Sequence, residues 1–336
     1  MSFTENSQLC YELGYSFKSK DYSRALALNK DNSILIVGSE SLITIYQFKK
    51  GVIKEIGRVR KHLNSINVLN FFRNQNCFLS GCSNSNIYYW SNIQCSSKKF
   101  IQKLYQHSEC INCIILNYPF EDLIISCSDD QKIKFWERSI SNSWVCKQTI
   151  QEHTTSVNTL SINHEGNTVI SCGDDFQILV IEYLPSQKRW QVQQKIQVEK
   201  ESYRITFINN NLFILQPLQE SSLFIYERNN KGIKSEFKKT NQISVRGAQQ
   251  ICKPFFPSVY NPKKNLLICK NGYCLNILSL NQINQQVQQF KLEQVIDCGT
   301  QSYGRIFGTV SDDGEFIVIW SYAQKEIQVW ACTNKE

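Results

Sequence analysis

Several signatures are missing from this chain, and each absence narrows what it can do. No apolar run approaches the roughly 18 residues needed to span a bilayer, so a membrane helix is not expected. The opening stretch MSFTENSQLCYELGY has no basic region leading into an apolar one, which argues against a secretory signal. There is no Gly-rich phosphate loop and no GxSxG nucleophile motif. Cys110 and Cys113 form a CxxC, but no second Cys or His pair follows at zinc-finger spacing. Neither a metal nor a cofactor is therefore expected. The rest is ordinary globular composition, with 42% hydrophobic and 20% charged residues, enough for a large core. The net charge of +8 is mild over this length; it permits an acidic partner without demanding nucleic acid.

With no secretory signal, the 14 cysteines are read in a reducing compartment, the cytoplasm, with the nucleus as the alternative. Cys127 and Cys172 each follow a serine at the same point of successive units. Equivalent points of stacked sheets lie roughly 10 Å apart, beyond the about 7 Å over which two Cα atoms can be bridged. They are read as buried thiols filling core space.

What is present is a repeated unit, clearest from His107 to Trp136 as HSECINCIILNYPFEDLIISCSDDQKIKFW. Its three short apolar runs, separated by a Pro-containing turn and an Asp-Asp turn, suit three antiparallel strands, a, b and c. The end of strand c recurs at Tyr46, Trp90, Trp136, Ile181, Tyr226, Leu278 and Trp330, spaced 44, 46, 45, 45, 52 and 52 residues apart. A period of about 40–45 residues is that of four-stranded propeller blades. The expectation is an all-β, seven-bladed β-propeller forming a single domain. Its blades fall near 22–57, 58–104, 105–150, 151–198, 199–246, 247–298 and 299–336. The last unit lacks a fourth strand while residues 8–17 supply one too many, so the N-terminal strand is expected to complete the last blade and close the ring. The Asn/Gln tract 281–290 is read as an exposed outer strand with its loop.

These residues resemble the WD40 repeat, strongly in blades 2–4 and 7 and weakly in blades 5 and 6. In that family a His, a strand-b Ser or Thr, a turn Asp and a strand-c Trp form one hydrogen-bonded set per blade. The resemblance assigns His107, Ser126, Asp130 and Trp136 in blade 3. In blade 4 it assigns His153, Ser171 and Asp175, with Ile181 in place of the indole. In blade 2 it assigns His62, Ser80, Asn84 and Trp90, with an amide in place of the carboxylate. The set superficially looks like a hydrolase triad, but it recurs in successive blades. It is read as structural, and no catalytic residue is assigned.

The resemblance implies a non-catalytic scaffold or adaptor subunit that binds other proteins by its loop faces and is a monomer outside its complex. Arg58, Arg60 and Lys61, in the expected loop from strand d to strand a, are expected to form one basic rim with Arg204 and Arg246, suited to an acidic peptide or phosphates. Two alternatives remain. One is nucleic-acid or phospho-ligand binding through that rim. The other is the cytosolic iron–sulfur targeting subunit, which a stand-alone seven-bladed chain with WVCKQTI before His153 resembles. A G-protein β subunit is disfavoured, because no coiled-coil heptads precede blade 1.

Overall fold

Strand b of a blade is rich in apolar residues because it is covered on both faces. Leu123–Ser128, Thr168–Gly173, Leu212–Pro217 and Leu266–Asn271 are buried at every position. The outer strands Trp144–Ile150 and Arg189–Gln197 instead mix buried and exposed positions. A dry inner sheet with a half-wet outer strand results when blades stack side by side around an axis.

The computed structural model describes residues 8–19, 21–91, 100–229, 235–248, 252, 254–283 and 286–335. Among these residues the chain forms seven four-stranded antiparallel sheets. Blades 1 to 6 each take four consecutive strands, named a to d from the axis outward. In blade 3 these are Ile111–Leu116, Leu123–Ser128, Ile133–Arg138 and Trp144–Ile150. Blade 7 is built from Ile306–Val310, Phe316–Ser321 and Glu326–Lys335, and its fourth strand is Gln8–Lys18. That strand runs antiparallel to Glu326–Lys335, with Leu13 opposite Trp330. Of the Asn/Gln tract, residues 281–283 end strand c of blade 6 and 286–290 begin its strand d.

The pairing of strands c and d slips by one residue at an equivalent point in every blade. It does so at Ile45/Tyr46, Tyr89/Trp90, Phe135/Trp136, Val180/Ile181, Ile225/Tyr226 and Ile277/Leu278. In blade 7 the slip lies in the N-terminal strand, between Leu13 and Tyr15. A bulge of this kind increases local twist, so repeating it gives each outer strand the same set.

The core sits at the seams rather than inside the blades. One cluster joins Ile125, Phe135 and Ile150 of blade 3 to Leu160, Leu179 and Trp190 of blade 4. Another joins Ile268 and Ile277 of blade 6 to Ile306, Ile317 and Tyr11 of blade 7. A second tie runs along the outer strands. The Gln148 side-chain amide donates to the Trp190 carbonyl at 2.6 Å and accepts from the Trp190 N–H at 2.8 Å. Gln102 holds Trp144 and Gln194 holds Phe237 in the same two-bond manner. Gln294 clasps Tyr11 through two bonds of 2.7 Å, which fastens the N-terminal strand to blade 6. Gly57 occupies the corresponding point of blade 1, paired with Ile45, and a Cβ there would meet open space.

Candidate functional site

The blade 3 set is a continuous chain of hydrogen bonds. The Trp136 indole N–H donates to Ser126 Oγ at 2.9 Å, and Ser126 Oγ lies 2.8 Å from His107 Nε2. His107 Nδ1 lies 2.8 Å from Asp130 Oδ2, which also accepts the Ser108 N–H. Since an indole can only donate, the Ser126 hydroxyl is left to donate to Nε2, and His107 then carries its proton on Nδ1, facing the carboxylate. Burial alone would push the Asp130 carboxyl up, but His107 and the amides of Ser108 and Lys132 outweigh it and hold the group below the usual carboxylate range. Burial lowers His107, against the opposing pull of Asp130. Ser126 is fully buried and engaged on both sides, so the set ties strands b and c to the segment entering strand a.

Blade 4 keeps the acid and loses the indole. His153 Nδ1 meets Asp175 at 2.9 Å and Nε2 meets Ser171 Oγ at 2.8 Å, while Ile181 packs where the ring would sit. In blade 2, His62 Nε2 meets Ser80 Oγ at 2.7 Å and Trp90 donates to the same oxygen at 2.8 Å. Asn84 does not join that set. Its Oδ1 instead accepts from the Cys82 thiol at 2.6 Å, and His62 Nδ1 is buried without a hydrogen-bond partner among the described residues. The neutral amide gives the imidazole no charge to reach for, and burial lowers His62 to about 4.

The single basic rim needs correction on four counts. Arg58 and Arg60 lie within strand d of blade 1, Val52–Arg60, and only Lys61 lies in the following loop. Arg58 is spent on Glu55 through a two-bond pair at 2.6 and 2.8 Å. Arg204 is not at the surface at all. It is 2% exposed in strand a of blade 5, donating from Nε to the Phe256 carbonyl at 2.7 Å and contacting Cys252 Sγ at 3.0 Å. A register slip between Ser202 and Arg204 turns it into the seam. Arg246 is exposed, its backbone held by two bonds from Asn276. It enters blade 6, four seams round the ring from Arg60 and Lys61, so these cations lie on opposite sides.

Arg60 and Lys61 have apolar company instead. Leu63, 86% exposed, follows in the same d-to-a segment, and Tyr105, 73% exposed, stands in the equivalent segment one seam on. The axial channel, a cavity of about 440 Å³, is lined by the a strands. Its mouth on the a–b turn side is crossed by Arg73, which pairs with Asp312 at 2.6 Å over the ring of Tyr118. Among the described residues, no helix is long and apolar enough to cross a membrane, and no group of three or more His, Cys, Asp or Glu is placed to hold a metal.

The clasping glutamines escaped the reading of the sequence, although Gln102, Gln148 and Gln194 recur every 46 residues and Gln294 follows later. That period was the available signal.

Two segments match the family model of the WD domain, G-beta repeat: residues 98–137 and 144–182. Each match covers strand d of one blade and strands a to c of the next, so a sequence repeat straddles a seam. No curated protein matches the chain.

Proposed function

We propose that this seven-bladed propeller, with WD40 repeats across blades 2 to 4, is a non-catalytic scaffold that takes an acidic protein segment on one side of its d-to-a face. Propellers of this family are in general protein-interaction scaffolds. The observation that carries the finer reading is that exposed Leu63 follows Arg60 and Lys61 in the same segment, and exposed Tyr105 occupies the equivalent segment of the next blade. Aromatic and cationic side chains placed together make strong anchors at protein interfaces. The cations would steer an acidic segment in, and the apolar pair would hold it.

The test is quantitative recovery of proteins co-purifying with the tagged native chain. The double variant Arg60→Glu/Lys61→Glu and the variant Tyr105→Ala should lose the same partner. Arg246→Glu, across the ring, should retain it. Undiminished recovery with the first two variants, or equal loss with the third, would refute this placement. A partner that survives nuclease treatment but not charge reversal separates protein from nucleic acid.

A further inference from the structure

Cys113 and Cys127 stand directly opposite one another on strands a and b of blade 3. Directly opposed residues of an antiparallel pair have Cα atoms about 4.5–5.5 Å apart, inside the about 4.4–6.8 Å that a disulfide spans. Both side chains face the seam between blades 3 and 4, and both thiols are free. Cys113 is half-buried and lines the axial channel, while Cys127 lies fully buried behind it. Cys110, its neighbour in the CxxC, is on the far side of the slip at Asn112 and is held by Asn67 Nδ2 at 2.9 Å. The sequence pair is therefore not the spatial pair.

The geometry points to Cys113 and Cys127 as a peroxide-sensitive dithiol reached through the channel. When Cys113 ionises, the Cys127 S–H can turn from the Val157 carbonyl to the new thiolate, which holds the Cys113 thiol below its ordinary value, while burial pushes Cys127 well above its own; the two sulfurs so take different roles. The Cys113 thiolate attacks one oxygen of hydrogen peroxide, the O–O bond breaks, and hydroxide leaves and takes up a proton as water. The resulting sulfenic acid is attacked by Cys127, whose proton departs with the sulfenic hydroxyl as a second water, leaving the S–S bond. Both cysteines are oxidised and the peroxide is reduced to water.

Oxidation would also remove a tie between blades, because the Cys127 thiol donates to the Val157 carbonyl of blade 4 at 3.3 Å. Cys172 makes the same tie to Ser202 at 3.2 Å, but Thr159 stands opposite it. Blade 4 is thus an internal control.

The native chain is exposed to hydrogen peroxide, its remaining thiols are alkylated in denaturant, and it is cleaved with trypsin and after Glu. Mass spectrometry should show the Cys113 and Cys127 peptides joined with the loss of two hydrogens, reversibly with dithiothreitol, and Cys172 alkylated. Cys110→Ser should keep the link. Cys113→Thr, which copies the Thr159 pairing of blade 4 and so preserves the sheet, should leave Cys127 alkylated. Alkylation of both Cys113 and Cys127 after peroxide, or a link that survives Cys113→Thr, would overturn the proposal.

Discussion

Blades 2 and 3 share the Ser–His–Trp arrangement and differ at the turn, where blade 3 has Asp130 and blade 2 has Asn84. In blade 3 the carboxylate compensates a buried imidazole for its lost water. In blade 2 the turn residue bonds a thiol and the imidazole keeps an unmet nitrogen. The comparison shows that two links of the set, serine to histidine and serine to indole, form without the acid. The acid adds charge compensation and the closing of the turn.

The largest expected effect comes from removing that acid. Asp130→Ala strands His107 Nδ1 and two backbone amides, and should cost about 2–3 kcal/mol, read as a lower urea midpoint. A loss no larger than that of Asn84→Ala would break the distinction between the blades.

Acid should find blade 2 next. His62 takes a proton near 6.5 when unfolded but only near 4 when folded, so between those values the unfolded chain binds more protons. Stability contributed by this site is full above about 6.5 and falls on acidification towards 4, by roughly 2 kcal/mol at pH 5. Asn84→Asp should raise the folded value and shrink the drop between pH 7 and 5. The His62 ring signal, followed by NMR in both proteins, checks it.

The outer-strand clasps are common to both blades and should not distinguish them. Gln102→Ala and Gln148→Ala should each cost about 1–2 kcal/mol, and a large disparity between them would show that the seams are not equivalent. The smallest effect is that of Asn84→Ala, below about 1 kcal/mol, because its amide serves only a thiol.

The ring was legible because its signal is local and repeated. The spacing of the strand-c positions and the Ser126–Asp130–Trp136 offsets depend only on strand and turn length. What escaped depends on register and rotamer. A cation just before an apolar run looks like a loop residue, yet the slip beside Tyr203 carries Arg204 inward to the Phe256 carbonyl. Asn84 has the right offset but the wrong charge, and no spacing shows that its carbonyl turns to Cys82. Arg58 looks free in a string of letters, and only the bulge at Ile56 brings Glu55, three residues back, to the same side of the strand.

The N-terminal strand has a consequence for the order of assembly. Within the ring, Gln8–Lys18 precedes every other strand in the chain, but its partner, Glu326–Lys335, follows them all. Closing so long a loop is thermodynamically mild, since each doubling of length adds only about 0.6 kcal/mol. It is kinetically late, because the contact joins distant parts of the chain. Until then blade 7 has an open edge and the side chain of Gln294 has no Tyr11 backbone to hold. The strand that leads the ring in sequence is the one that locks last.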